Sequence, residues 1–330
     1  MSDGVSKHDA AHDAPGDGAG DDAGVAAADT VVLEVAHETG YRYASDVALA
    51  HHIAYLRPSE SPHQQLERFR LDIRPKPTIE RTMLDVFGNR RTYFTLDTPH
   101  ARLAVRATSR VRIAPRYEGL VPAATLPWQE VAQRLAYRSG AIHAPPSEFA
   151  FASPFVPRHR ELGSYAALSF REDRPIAEAA LDLMHRMFED FTYVSDSTDI
   201  STPVLEAFGA RRGVCQDFAH IMIGGLRALG LAARYVSGYL LTRPPAGRAR
   251  LVGADASHAW ASVWCPSRDG DAQYGGGLWL DLDPTNDVIP STSHVTLATG
   301  RDFGDVSPLR GIIRGGGEHR LMVGVTVTPV

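Results

Sequence analysis

Cysteine and long apolar runs are both scarce in this chain of 330 residues. The two cysteines, Cys215 and Cys265, are too few for the dense disulfide framework of small secreted proteins. No apolar run approaches the about 20 residues that a membrane-spanning helix needs. The first thirty residues also lack the basic and apolar segments of a signal peptide. We therefore expect a cytoplasmic protein that does not associate with membranes.

An excess of positive charge is absent as well, because the formal net charge is −5 at pH 7. Seven Asp and one Lys give residues 1–30 a net charge of −6, which leaves the rest of the chain nearly neutral. The Ala, Gly and Asp content of this segment predicts a disordered acidic tail. The nearly neutral remainder gives no electrostatic reason to expect nucleic-acid binding. The two cysteines lie far apart and no histidine pair has ligand spacing, so we predict no metal site and no cofactor.

Alternating apolar and polar residues are present between residues 31 and 116. The segments "LERFRLDIRP" and "ARLAVRATSRVRI" both alternate, and "DVFGNRR" supplies a turn between them. This pattern predicts an N-terminal antiparallel β domain over residues 31–116 with one solvated face, where the arginines pair with acidic neighbours. Residues 301–330 contain a further alternating strand, which could join the sheet of either domain.

The middle of the chain changes from a connector to a mixed pattern of helix and strands. Residues 117–173 are predicted to be a connector with a short helix at "LPWQEVAQRLAYRSG". In residues 174–300, "PIAEAALDLMHRMFEDFTYV" predicts a helix, and "LAARYVSGYL", "SHAWASVWC" and "GLWLDLDPTN" predict three strands. A helix followed by several strands is typical of an α+β fold, in which the helix packs on an antiparallel sheet.

Cys215 lies in "RRGVCQDFAHIMIGGLRALG", whose apolar residues recur at steps of three and four. This spacing predicts an amphipathic helix that ends near Gly230, with Cys215 in its first turn. Free backbone N–H groups and the helix dipole favour a thiolate there, and a backbone N–H could bind a developing oxyanion. The alternative is that Cys215 is a small buried apolar residue. Cys265 has no helix start beside it and is expected to be structural.

A cysteine nucleophile needs a base, and the base needs a group that fixes its orientation. In "SHAWASVW", His258 and Trp260 share one face of a strand. In "LWLDLDP", Asp281 and Asp283 share one face of another strand. Neighbouring antiparallel strands would place a carboxylate beside His258. Spacing alone does not choose between Asp281 and Asp283.

Four ordered segments, "GVCQDFAH", "ARYVSGYL", "SHAWASVW" and "LDLDPTN", together resemble the bacterial transglutaminase-like superfamily. This papain-like group includes predicted cysteine peptidases, and the region from "YRYASDV" to "DVFGN" resembles its N-terminal β domain. The resemblance implies a fold with a cysteine-bearing helix packed on an antiparallel sheet. It further implies that Cys215 is the nucleophile, His258 the base and Asp283 the orienting acid. Asp281 would then lie either behind these residues or at the surface, where it is a candidate for lining the site.

Further residues are expected to line the site or to shape its helix. Gln216 follows Cys215 directly, and Trp260 shares the face of His258, so both are candidates for contacting substrate. Gly224 and Gly225 stand where alanine is more usual in such proteins, and each costs the helix about 1 kcal/mol relative to Ala. A close approach of the helix to the sheet would explain them.

These features predict a cysteine-dependent hydrolase that cleaves amide or peptide bonds of a peptide or protein through a thioester. A first alternative is a transglutaminase, in which an amine replaces water, or another acyl transferase. Indeed "RRGVCQD" is also similar to the short cysteine motif of arylamine N-acetyltransferases. A second alternative is a peptide-binding module without catalysis. The sequence does not indicate an oligomeric state.

Overall fold

The computed structural model describes residues 29–140, 145–195, 197–242, 257–266 and 276–330. Most of the predicted acidic tail lies outside these residues. The described chain folds into two main antiparallel sheets with helices around the second, so the predicted α+β class is confirmed. No helix in the described ranges combines the length and the apolar character needed to cross a membrane.

The first sheet has seven strands, and its long first strand occupies the centre. The strands are β1 (Val31–Ala54), β2 (Gln64–Arg74), β3 (Ile79–Leu84), β4 (Arg90–Leu96), β5 (His100–Ile113), β12 (Leu309–Gly315) and β13 (His319–Pro329). The first half of β1 lies between β5 and β13, and its second half pairs with β4 and β12. The C-terminal strands therefore return to the N-terminal sheet, which answers the question that the sequence left open.

The solvated face of β5 carries the arginines expected from its alternation. Arg110 Nε donates to Glu67 Oε2 at 2.9 Å, and Arg106 Nε lies 3.1 Å from Glu38 Oε1. Exposed ion pairs of this kind contribute about 0–1 kcal/mol each. The opposite face, with Leu103 among its residues, is buried in the core of this sheet. Arg106, Arg110 and Arg112 thus pair with acidic neighbours, as predicted.

The second sheet has the strand order β10-β9-β8-β11, with every neighbouring pair antiparallel. Its strands are β8 (Ala233–Leu240), β9 (Ser257–Pro266), β10 (Gly277–Leu282) and β11 (His294–Gly300). The first three were predicted, whereas β11 was not. A register shift between Thr296 and Ala298 interrupts its alternation of apolar and polar residues, which hides the strand in the sequence.

Among the described residues, six α-helices, two short 3-10 helices (Pro122–Ala124 and Pro145–Ala150) and a short parallel strand pair complete the fold. The α-helices and the paired strands are α1 (Trp128–Leu135), α2 (Arg160–Ala167), α3 (Ile176–Asp190), β6 (Thr192–Tyr193), α4 (Val204–Ala210), β7 (Arg212–Gly213), α5 (Cys215–Ala228) and α6 (Phe303–Val306). Helix α5 begins at Cys215, and Gly230 follows its end with a φ of 81°. Every residue from 217 to 227 is buried, because the sheet covers one side of α5 and α2 covers another.

The two glycines of α5 are explained by α2 and not by the sheet, so the sequence-based explanation was wrong. A Cβ on Gly224 would lie 2.6 Å from Leu162 Cδ1. A Cβ on Gly225 would lie 2.9 Å from Ala166 Cβ and 3.3 Å from the Leu162 carbonyl oxygen. Both neighbours belong to α2. The glycines therefore allow two helices to approach closely.

Two side-chain amides join the first sheet to β11, which is an edge strand of the second. Gln64 Nε2 donates to the Thr296 carbonyl and Gln64 Oε1 accepts from the Thr296 N–H, both at 2.8 Å. Asn89 makes the same pair of 2.8 Å bonds with Thr299. Both amides are buried. The side-chain amides bond to backbone groups with which a further strand would otherwise pair. This part of the edge is therefore covered.

Replacing Gly225 with alanine should lower the free energy of unfolding, by about 1–3 kcal/mol. The overlap of the new methyl group with Ala166 outweighs the gain in helix propensity of about 1 kcal/mol. Gly209 in α4 is the matched control, because a Cβ there meets no atom within 4 Å. Gly209→Ala should raise the free energy of unfolding by up to about 1 kcal/mol. Urea unfolding of both variants checks this, and equal stabilisation would contradict the packing of α2 on α5.

Gln64→Leu should destabilise the protein by about 3 kcal/mol, because it removes the two bonds to Thr296 without changing the side-chain volume greatly. Gln65, the next residue, is exposed and provides the control. Gln65→Leu should change the free energy of unfolding by no more than about 0.5 kcal/mol. Thermal and urea unfolding measure both. Equal effects of the two substitutions would show that the amide pairing contributes nothing.

Candidate active site

Cys215 is half-buried and occupies the first position of α5, directly after β7. The start of the helix is closed by Asp217, whose Oδ2 accepts from the Val214 N–H at 2.8 Å and from Thr198 Oγ1 at 2.6 Å. A Cβ on Gly213 would lie 2.7 Å from the same oxygen, so glycine is needed there. Asp217 is therefore turned back onto the helix start.

His258 joins Cys215 to Asp283. Its Nε2 lies 2.7 Å from Asp283 Oδ2, and the two side chains are 5% and 0% exposed. Burial lowers the pKa of His258, but hydrogen bonds to Asp283 and Cys215 outweigh it and raise the pKa to about 10. The structure thus brings Cys215, His258 and Asp283 together at the start of a buried helix, with His258 hydrogen-bonded to Asp283 and interacting with Cys215.

Asp283 accepts hydrogen bonds from several donors. Asn286 Nδ2 donates to Oδ2 at 2.7 Å, and His294 Nε2 lies 3.2 Å from the same oxygen. The Thr285 N–H donates to Oδ1 at 3.0 Å. Burial raises the pKa of Asp283, but hydrogen bonds from His258 and His294 outweigh it, so the pKa lies below its ordinary value. The carboxylate therefore stays ionised although it is fully buried.

These extra partners of Asp283 were absent from the sequence-based prediction. The segment "DPTN" does contain a signal, because an Asp that accepts from the N–H two residues later is typical of such turns. That signal could have identified Thr285. No comparable signal was available for His294, since the strand that carries it was not recognised.

Spacing alone did not decide whether Asp281 or Asp283 lies beside His258. In the structure, Asp281 has a different partner. Arg116 Nη1 donates to Asp281 Oδ2 at 2.8 Å, and both side chains are largely buried. The Tyr117 hydroxyl donates to the Trp279 carbonyl and accepts from the Asp281 N–H, at 2.8 and 2.9 Å. Asp281 thus ties the segment after the first sheet to β10, while Asp283 contacts His258.

Trp260 does not occupy the position expected of a substrate-contacting residue. It is 0% exposed, and its ring lies 6.1 Å from the ring of His258 and 5.3 Å from that of His294. Trp260 packs beneath the two histidines, so the expectation that it lines the site is corrected to a packing role. Its indole N–H is buried without a hydrogen-bond partner among the described residues.

Gln216 borders an open cavity beside Cys215. The cavity has a volume of about 440 Å³ and is lined by Thr198, Asp199, Ile200, Ser201, Val214 and Gln216. Gln216 Nε2 lies 3.4 Å from the Ile200 carbonyl oxygen, which it approaches as a donor. Val214 and Gln216 are the chain neighbours of Cys215. The cavity therefore opens close to the start of α5.

Cys265 and His220 lie in environments that differ from that of Cys215. Cys265 is buried, and burial raises the pKa of its thiol to about 12. His220 is buried in α5, where burial lowers its pKa to about 3. Its Nε2 accepts from the Phe303 N–H at 3.2 Å. Cys265 and His220 thus both occupy packed positions, and the expectation of a structural role for Cys265 agrees with its burial.

The residue types around Asp283 are also those of a metal site. Ligand atoms of His258, Asp283 and His294 all lie within 4.8 Å of one another. The two histidine nitrogens also lie at hydrogen-bond distance from Asp283 Oδ2, which a network of N–H donors on one carboxylate explains without an ion. The expectation of no metal centre stays a prediction.

Comparisons with known proteins agree with this architecture. Residues 33–112 match the bacterial transglutaminase-like N-terminal region, and residues 165–284 match the transglutaminase-like superfamily. An uncharacterized protein of Mycobacterium tuberculosis is 42% identical over 298 residues, which cover 89% of this chain and 92% of the relative. A protein-glutamine gamma-glutamyltransferase of Pseudomonas aeruginosa is 38% identical over 84 residues, or 25% of this chain and 11% of that protein.

The fold also recurs in a solved structure, that of a candidate cysteine protease from Cytophaga hutchinsonii. The TM-score is 0.69 with 18% identity, and the match covers 92% of each chain. The core therefore has the papain-like fold of the transglutaminase-like proteins. The chain belongs to the transglutaminase-like superfamily and carries its bacterial N-terminal region in front of the core.

Asp283→Asn should lower the pKa of His258 from its value of about 10. The substitution removes the anion that stabilises the imidazolium, whereas the burial that opposes it remains. A histidine proton titration by NMR measures the change. Asp287→Asn is the control in the same turn, because Asp287 lies 2.7 Å from His185 and should affect only the pKa of that exposed histidine. A pKa for His258 that is unchanged in Asp283→Asn would contradict the assigned contact.

Proposed function

We propose that the protein hydrolyses amide or peptide bonds in peptide or protein substrates, with Cys215 as nucleophile, His258 as base and acid, and Asp283 as orienting carboxylate. The observation that carries this proposal is that His258 hydrogen-bonds to Asp283 and interacts with Cys215, at a helix start whose residues Val214 and Gln216 line an open cavity. A nucleophile, a base within reach and a group that fixes the base are the requirements for covalent catalysis.

The first half of the reaction forms a thioester. His258 takes the thiol proton of Cys215, and its raised pKa favours the resulting thiolate and imidazolium pair at neutral pH. The thiolate attacks the carbonyl carbon and gives a tetrahedral oxyanion. The Cys215 N–H stands in the first turn of α5, where backbone N–H groups lack intrahelical acceptors, so it can donate to that oxygen. The C–N bond then breaks as His258 returns its proton to the leaving amine.

The second half of the reaction releases the acid. His258 takes a proton from water, the hydroxide attacks the thioester carbonyl, and the C–S bond breaks. The proton returns to the Cys215 sulfur and restores the starting state. Asp283 remains ionised throughout and keeps the His258 ring in place. Hydrolysis needs only water as acceptor, so it requires no binding site for a second substrate.

A second candidate function is transfer of the acyl group to an amine. The 84-residue similarity to a protein-glutamine gamma-glutamyltransferase favours this reaction, which shares the thioester and differs only in the acceptor. A peptide-binding module without catalysis is the third candidate. Peptide binding alone gives no reason for a half-buried thiol to interact with a histidine of raised pKa. A cytoplasmic location stays a prediction.

Cys215→Ala should abolish turnover, with a loss on the order of 10³-fold or more. The assay incubates a peptide library that contains glutamine with the protein, with and without a primary amine, and reads masses. Shortened or deamidated products that vanish in Cys215→Ala support hydrolysis, while amine adducts that vanish support transfer. Cys265→Ala is the matched control and should keep its activity, because that thiol is buried. Activity that persists in Cys215→Ala would contradict both reactions.

A further inference from the structure

His294 is a second histidine on Asp283, and its hydrogen bonds determine its tautomer. It is buried at the start of β11, with Nε2 3.2 Å from Asp283 Oδ2 and Nδ1 3.0 Å from Ser293 Oγ. Burial lowers the pKa of His294, and this exceeds the opposing effect of Asp283, so the ring is neutral. A carboxylate only accepts, so the single N–H of the ring lies on Nε2 and points to Asp283. The Ser293 hydroxyl then donates to Nδ1.

This contact differs from the other bonds that hold Asp283. Thr285 and Asn286 follow Asp283 in the same turn, so they move with it. His258 comes from β9 and is the group whose orientation matters. His294 is, among the described donors to Asp283, the one from another element that takes no part in the proposed proton transfers. It therefore fixes the carboxylate relative to the sheet.

We propose that His294 is a positioning residue: it holds the Asp283 carboxylate in the place from which that carboxylate orients His258. The proposal rests on the proposed cysteine chemistry. The ring of Trp260 packs edge-on against His294 at 5.3 Å and lies 6.1 Å from the ring of His258. The two histidines thus pack against the same indole ring and lie at hydrogen-bond distance from the same carboxylate oxygen.

The position of His294 also gives the N-terminal domain a part in the site. β11 pairs with β8 on one side, and on its other side it meets the amides of Gln64 and Asn89. Thr296, the partner of Gln64, is two residues from His294. The N-terminal domain therefore fixes the position of β11, whose residue His294 contacts Asp283.

The test uses variants of the full chain that differ in the donor at this position. His294→Phe keeps a ring of similar size but lacks an N–H, whereas His294→Gln keeps an N–H at a similar reach. His319→Ala, at an exposed histidine of β13, is the control. Should His294→Phe not fold, His294→Met takes its place, because a flexible thioether adapts to a cavity.

The first measurement is the rate of alkylation of Cys215 by iodoacetamide from pH 5 to pH 9, with the buried Cys265 as internal reference for unfolding. Weaker orientation of His258 destabilises the imidazolium, so less thiolate exists on the acidic side. We expect the rate at pH 6 to fall about 10-fold in His294→Phe, with less than about 2-fold change at pH 9. His294→Gln should recover most of the loss. Faster labelling of Cys265 at every pH would indicate a merely structural role and overturn the proposal.

The second measurement is turnover of a peptide that the wild type cleaves. We expect kcat to fall in His294→Phe while KM stays unchanged, since His294 does not line the cavity. An alkylation profile equal to that of the wild type in both variants would overturn the role of His294. A wild type without turnover, or a Cys215→Ala variant that keeps it, would instead overturn the proposed function. The alkylation profiles decide on His294 in either case.

Discussion

The arrangement of the core depends on the hydrogen bonds that surround the buried carboxylate of Asp283. An ionised carboxylate that is fully buried costs several kcal/mol unless donors surround it. Its donors come from its own turn, from β9 and from β11, so three parts of the chain must meet at one point. The order of the second sheet makes this possible. A carboxylate placed in this way holds His258 against the start of α5, where Cys215 lies.

The covered edge of β11 connects this point to the rest of the molecule. An edge strand leaves backbone N–H and C=O groups without partners, and each such group is costly when buried. Gln64 and Asn89 satisfy them at Thr296 and Thr299 with amides that imitate a neighbouring strand. The N-terminal sheet thus packs on the core through directional contacts, which determine one docking position more strictly than apolar contacts would.

The sequence predicted the parts of this fold whose periodicity is regular. The helix that begins at Cys215 followed from steps of three and four, and β9 and β10 followed from alternation. Asp281 and Asp283 share a strand face, so only the family resemblance separated them, and the structure pairs Asp281 with Arg116. β11 was not predicted, because a register shift breaks its alternation of apolar and polar residues. Trp260 could not be placed, since a pattern assigns a strand face without revealing what covers it.

The two cysteines show how position in the fold determines the environment of a thiol. Cys265 lies on the same strand as His258, yet burial without a charged partner raises the pKa of its thiol to about 12. Cys215 stands at a helix start and hydrogen-bonds to an imidazole that a buried carboxylate keeps protonated. Each of these features depends on residues far away in the sequence. The surroundings of one thiol are therefore a property of the whole fold, down to the strand that carries His294.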